Sequence, residues 1–319
     1  MLAHVFKVFE NQLIDYAGLF PPTQLPLEQA IHNYAEYIRS DESWKLSTFV
    51  IPVIQLEQLL EYQKLFDSNY KLKLSVTGKP SQDNFSSIKA LKQTHLKTYQ
   101  FAEDNAEWLE IVALEYPFAK EVPSKLFLDE LYNVSTQLDV QVFCEIPVMN
   151  VVEFEDFVVR TMKAVVEYNQ RIERPFHIKL RTGNENRELV PSSEKVAYFI
   201  QQAMQHDLTI KFTAGLHHPV RMYRDEIEDK MHGHLNVFIA SALAKHFQLD
   251  LATITSIIEE ESEEAFVFTK EHIGWKEYEM TAEDFADMRD KYLNSFGSCS
   301  FNTPTQELIE VLKRKGTLS

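Results

Sequence analysis

Short apolar runs alternate with helical stretches from residue 26 onward, and this alternation constrains the fold more than any other feature of the chain. Leu27, Ala30, Tyr34 and Ile38 recur on one helical side, and LSTFVIPV (46–53) follows as an apolar run. QLEQLLEYQKLF (55–66) reads as a helix, and KLKLSVTG (71–78) alternates with period two. A helix from Ser81 leads to WLEIVALEYP (108–117), and one from Ser124 leads to DVQVFCEIP (139–147). A long helix over 151–172 leads to FHIKLRTG (176–183). Ser192-Ser193-Glu194 caps a further helix to His206, ahead of LTIKFTAGLHHP (208–219). Six strand–helix units with short joints predict a parallel sheet covered by helices. Closure into a (β/α)8 TIM-type barrel, with two more strands after residue 230, would use 1–319 as one domain.

Beyond residue 219 the pattern is less sharp. HLNVFIASALA (234–244) suits a strand or a buried helix, which periodicity does not separate. AFVFTKEHIGWKEYEM (265–280) reads as a β-hairpin added to the barrel, with Gly274 near its turn. Its Trp275 and Tyr278 suit an anchor for a homo-oligomer or simple packing within the chain. Thr281 with Asp284 is a capping pattern, and FGSCSF (296–301) reads as a last short strand before a terminal helix through Lys315.

Composition narrows the function classes. The chain has 319 residues, with 32 Lys+Arg against 48 Asp+Glu and a formal net charge of −16. Without a basic cluster, such a chain is a poor partner for nucleic acid or an anionic membrane surface. It contains no apolar run of about 18 residues that would span a bilayer. Met1–Glu10 carries an acid and no long apolar core, unlike a signal peptide. Cys144 and Cys299 are too few for a disulfide framework. The expectation is a soluble, cytoplasmic protein acting on a small molecule.

Glycine is scarce. There are 8, where average usage of about 7% would give roughly 22. Five lie in the compact motifs DYAGLFPP, SVTGK, KLRTG, KFTAGLHHP and FGSCSF, mostly at the carboxyl ends of predicted strands. That is the end at which α/β folds keep their sites.

Strands covered on both faces should be almost wholly apolar. Three of these are not, and the exceptions keep one parity. His177, Lys179 and Arg181 alternate with Phe176, Ile178 and Leu180; Thr209, Lys211 and Thr213 alternate with Leu208, Ile210 and Phe212. Gln141, Phe143 and Glu145 alternate with Val140, Val142, Cys144 and Ile146, and Glu115 shares a side with Ile111 and Ala113. Successive side chains point to opposite faces. One face therefore packs on helices, and the other sends Lys179, Arg181, Lys211, Glu145 and Glu115 inward. Unpartnered buried charges cost several kcal/mol, so these groups should meet. Such pairs either close the barrel mouth structurally or do chemistry.

The chemical reading is specific. A lysine amine titrates near pH 10.4 in water and is then not nucleophilic. Burial and a neighbouring cation lower that value and yield an amine able to attack a carbonyl. At about 5 Å and an effective dielectric near 20, two lysines repel by roughly 3 kcal/mol, which is about two pKa units. Lys179 is then the Schiff-base nucleophile, Lys211 its electrostatic partner, and Glu145 or Glu115 the proton shuttle.

VFCEIP (142–147), HIKLRTG (177–183) and TIKFTAG (209–215), in that order, resemble the deoxyribose-phosphate-type class I aldolases over residues 140–215. In that family a strand ending in glutamate precedes the strand of the Schiff-base lysine, and a second lysine on the next strand tunes the first. The resemblance implies those roles for Lys179 and Lys211. The resemblance does not extend to the paired glycines that admit a phosphate in the aldolases, where Leu216-His217-His218-Pro219 stands instead. Arg181 replaces a small residue, and Glu115 stands where that family has an aspartate. Separately, DYAGLFPP, KLRTG, TAGLHHP, MHGHLNVF (231–238) and FGSCSF together resemble a widespread bacterial family; this likeness spans the chain and implies no activity.

Other residues complete the expected site. Arg181, Thr213, His217 and His218 are candidates to touch substrate, and Ser298 and Ser300 to donate to a substrate anion. The alternative to a cofactor-free Schiff base is a divalent metal in a lyase or hydrolase, held by His217, His232 and Glu145, with His218 nearby. A third possibility is a non-catalytic binding barrel. Asp15-Tyr16 and the following Gly18, Phe20 and Pro21-Pro22 form a plug at the barrel bottom, unless Asp15 reaches the site. Cys299 reads as a small core residue.

Overall fold

The computed structural model describes residues 4–317, so Met1–Ala3 of the stretch compared with a signal peptide lie outside the described residues. The elements run α1 (His4–Glu10), β1 (Ile14–Tyr16), α2 (Leu27–Tyr37), β2 (Leu46–Pro52), a 3-10 helix (Val53–Leu65), β3 (Leu72–Thr77) and α3 (Asn84–Asp104). Next come β4 (Leu109–Pro117), α4 (Lys125–Leu138), β5 (Gln141–Glu145), α5 (Phe154–Asn169), β6 (His177–Arg181), α6 (Ser193–Gln205) and β7 (Ile210–Thr213). The remainder is β8 (Met222–Arg224), β9 (Asp229–Met231), α7 (His234–Phe247), α8 (Leu251–Glu259), β10 (Phe266–Phe268), β11 (His272–Trp275), β12 (Tyr278–Thr281), α9 (Ala282–Lys291), β13 (Leu293–Ser298) and α10 (Asn302–Arg314).

Eight parallel strands close a (β/α)8 TIM-type barrel in the order β1-β13-β7-β6-β5-β4-β3-β2. Strand parity produces its layers. Ile178, Leu180, Ile210 and Phe212 are fully buried against the helices, with the Phe212 and Phe238 rings 5.3 Å apart. Each such side chain contributes about 1.5–3 kcal/mol. Local chemistry fixes the helix starts: Ser124, Ser192, Asp250 and Thr281 each accept a hydrogen bond from a backbone N–H of the first turn.

Several features depart from expectation or decide what it left open. Only one barrel strand, β13, follows residue 230; the eighth is β1, whose Ile14 pairs with Phe296 on one side and Leu46 on the other. Ile14-Asp15-Tyr16 is too short to show a period of two, and its middle residue is an acid. The segment expected to plug the barrel bottom is therefore a strand plus a loop at the opposite, carboxyl end. Residues 234–244 form α7, buried on every side from His234 to Ala244, which removes the amphipathic signal.

The stretch 55–66 winds as a 3-10 helix instead of an α-helix. Val53, Leu56, Leu59, Tyr62 and Leu65 recur every third residue, and residues three apart eclipse on a 3-10 helix, giving one inward stripe. Leu56 and Leu59 are its buried members.

The expected hairpin is a separate three-stranded antiparallel sheet, β10-β11-β12. Trp275 is buried there, stacked on Tyr278, and its Nε1 donates to Glu260 Oε2 at 3.1 Å. Trp275 thus anchors this sheet to its own chain and is not exposed to a second copy. An unforeseen antiparallel pair, β8–β9, follows β7. Among the described residues no helix is long and apolar enough to cross a membrane.

Candidate active site

One polar layer crosses the barrel interior, and every strand contributes to it. Asp15 (β1) accepts from the Thr48 backbone N–H at 3.1 Å and from the hydroxyls of Thr48 (β2) and Ser295 (β13). Its Oδ2 lies 3.0 Å from Lys211 Nζ on β7. Lys211 Nζ also meets Glu115 Oε1 at 2.6 Å, the oxygen to which Ser75 (β3) donates at 2.6 Å. Glu115 (β4) holds Lys179 Nζ (β6) through its other oxygen at 2.5 Å. Lys179 Nζ contacts Glu145 Oε2 (β5) at 2.7 Å, and Glu145 Oε1 accepts from Arg181 Nε at 3.1 Å. The register places Glu145, Lys179 and Lys211 side by side on β5, β6 and β7. Phe143, on the same face, lies under Lys211 with Nζ 4.9 Å from the ring centre.

Charge is balanced: Asp15, Glu115 and Glu145 face Lys179, Lys211 and Arg181. Burial alone would raise the Glu115 carboxyl, but Lys179 and Lys211 outweigh it and hold it well below the usual carboxylate range. Burial acts likewise on Glu145, and Lys179 and Arg181 bring it down to about 2. Burial pushes the Lys211 amine down, but Asp15 and Glu115 reverse this and raise it. The expectation of two lysines repelling as bare charges is thereby corrected. Glu115 stands between them, and each lysine faces two carboxylates.

The cluster opens at the carboxyl end of the barrel. A cavity of about 400 Å³ lies at the carboxyl ends of the strands and is lined by Thr77, Pro117, Glu145, Arg181, Thr213 and Gly297 from those ends. Glu115 and Lys179 form part of its floor, whereas Lys211 does not reach it. Phe20, Pro21 and Pro22 form a wall, and the β8–β9 pair adds Glu226, Ile227 and Met231 as a cover. Gly183 and Gly215 pass back to back beneath that cover. A Cβ on Gly183 would come within 2.6 Å of Gly215 Cα, and Gly215 has φ +81°.

The structure separates the other candidates. Arg181, Thr213 and His217 line the cavity. His217 Nδ1 is 3.7 Å from Cys299 Sγ, also in the wall, and burial with Arg224 and His218 nearby pushes the imidazole down to about 4. His218 points away to Glu307, at 2.5 Å on α10. His232 is buried with Nε2 2.9 Å from the Pro191 carbonyl. Ser298 is buried outside the cavity wall, and Ser300 Oγ accepts from Thr303 N–H at 3.1 Å at the start of α10. Those four are therefore corrected: none of them lines the cavity. The alternative metal set His217, His232 and Glu145 is not assembled, and among the described residues no group of three or more His, Cys, Asp or Glu side chains is arranged to hold a metal ion.

Thr48, Ser75 and Ser295 were absent from the expected site, and Asp15 stood in it only as the alternative to a plug. Their signal was a polar residue at an inward position of a short strand, the same parity that exposed the lysines. The arrangement offers a cavity-facing lysine between two carboxylates, backed by a second, sealed lysine. No protein-family model matches the chain, and no curated protein matches it.

Proposed function

We propose that the protein is a class I aldolase-like lyase that forms a Schiff base between Lys179 and a small carbonyl compound. The observation that carries this reading is Lys179 Nζ on the cavity floor, 2.5 Å and 2.7 Å from two carboxylates that line the same cavity. Glu115 or Glu145 takes one ammonium proton, and the nitrogen lone pair attacks the carbonyl carbon. The C=O electron pair moves to oxygen, which receives that proton and a second one from nitrogen and leaves as water. Ammonium plus carbonyl has become iminium plus water, with the positive charge still on nitrogen. The ion pairs that hold the resting lysine therefore also hold the intermediate.

The iminium then draws electrons from an adjacent carbon–carbon bond. In a β-hydroxy carbonyl compound, the hydroxyl proton passes to a carboxylate, the bonding pair moves to the iminium as an enamine, and an aldehyde leaves. Lys211 acts through Glu115: it shares that charge and loosens the carboxylate's grip on Lys179. Thr213 and His217 face the substrate, and neutral His217 is suited to hydrogen bonding there.

The test is borohydride trapping with a panel of small aldehydes and 2-oxo acids, with the adduct located by peptide mass mapping. A stable adduct on Lys179 is expected. Absence of any adduct, or labelling that persists in Lys179→Ala, overturns the reading.

A further inference from the structure

We infer that the substrate is a small oxo acid and that Arg181 holds its carboxylate. The inference rests on the Schiff-base reading of Lys179 and adds the chemical class of the compound. Arg181 is the last residue of β6, two positions beyond Lys179, and its side chain is 45% exposed where that of Lys179 is 4% exposed. Glu145 takes only Nε; the two terminal nitrogens make no hydrogen bond among the described residues. They form an open, planar fork on the cavity wall, which suits a carboxylate bound through two parallel hydrogen bonds.

Glu145 sets the spacing. One of its oxygens orients Arg181 and the other contacts Lys179, so a single carboxylate registers the anion-binding fork against the nucleophile. A ligand anchored on Arg181 presents its carbonyl to Lys179 when a short chain separates the two groups.

The charge around the cavity favours one negative charge over two. Among the described residues Lys179 and Arg181 are the only lysine and arginine side chains in the wall, against Glu115, Glu145 and Glu185, with Glu226 already paired with Arg224. Lys179 is matched by its two carboxylates and Arg181 gives Glu145 only its Nε, which leaves the terminal nitrogens of one guanidinium for the ligand. A phosphate dianion would meet that single cation amid carboxylates. The rest of the wall, Phe20, Pro22, Val50, Pro80, Ile227 and Met231, suits a short aliphatic body.

The experiment compares trapping rates on Lys179 for matched pairs: pyruvate against hydroxyacetone, and succinic semialdehyde against butanal. Each rate is divided by that of the same compound with Nα-acetyl-lysine, which removes intrinsic reactivity. At least one acid should outpace its uncharged partner by about tenfold or more, the worth of a charge-assisted hydrogen bond. In Arg181→Gln that ratio should fall towards one, and Arg181→Lys should retain part of it. In the unaltered protein, propionate should slow trapping of the favoured acid.

Equal normalised rates for acid and uncharged partner in both pairs overturn the oxo-acid inference while leaving the Schiff base standing. So does a ratio that survives Arg181→Gln, or trapping unaffected by propionate. No Lys179 adduct with any of the four compounds overturns the Schiff-base reading itself, and the inference with it.

Discussion

Replacing Glu115 by glutamine probes the centre of the site. The carboxylate receives Lys179 at 2.5 Å, Lys211 at 2.6 Å and the Ser75 hydroxyl at 2.6 Å, and it is 2% exposed. A glutamine keeps the shape but has one acceptor oxygen, and its amide N–H groups must face a lysine. The balanced cluster gains one unit of positive charge. At about 3 Å and an effective dielectric near 20, each lost contact is roughly 5 kcal/mol of attraction, offset by relief from burying the charge. Removing one partner of a buried pair costs about 3–5 kcal/mol in practice, and that is the expected loss in urea unfolding at pH 7. Lys211→Met should also destabilise, by less, because Asp15 keeps its hydrogen bonds from Thr48 and Ser295. Combining the two removes opposite charges together. The double variant should then be more stable than the sum of the singles implies, by about 2–3 kcal/mol. A loss below about 1 kcal/mol for Glu115→Gln, or additivity within about 0.5 kcal/mol, would refute the view that Glu115 joins the two lysines.

Acid should destabilise the fold, with a sign set by buried histidines. Burial lowers His177, His217 and His232 to about 4 and His234 to about 3, so between those values and 6.5 the unfolded chain binds protons that the folded chain does not. Their contribution is complete above pH 6.5 and is lost as pH falls. Glu10, raised by burial to about 7, opposes one of the four, leaving a slope of roughly 3–4 kcal/mol per pH unit between pH 6 and 5 in urea titrations. A flat or inverted profile would contradict this. Gly215→Ala forces a side chain onto φ +81° and to within 2.9 Å of Gly183 Cα, so calorimetry should show a loss of about 2 kcal/mol or more; an unchanged melting temperature would count against the close glycine pair.

The sequence by itself determined what depends on neighbours along the chain. A period of two along 176–182 and 208–214 assigned Lys179 and Lys211 to the interior, because a strand's own geometry alternates its side chains. Six strands and several caps followed from equally local signals. The three-residue spacing from Val53 to Leu65 was also there to be read, and it specifies a 3-10 turn where an α-helix was expected. Only the tertiary structure decided how the barrel closes, since Ile14–Tyr16 becomes a strand by pairing with Leu46 and Phe296, distant in sequence. The same holds for the charges. Sequence placed two lysines on neighbouring strands, but the third dimension put Glu115 between them and brought the cavity to Lys179 alone. It also turned His218, His232 and Ser300 towards partners outside the cavity. Parity is a property of one strand; pairing of charges and access to solvent depend on which strands and loops converge, and hydrophobic closure of the whole barrel sets that.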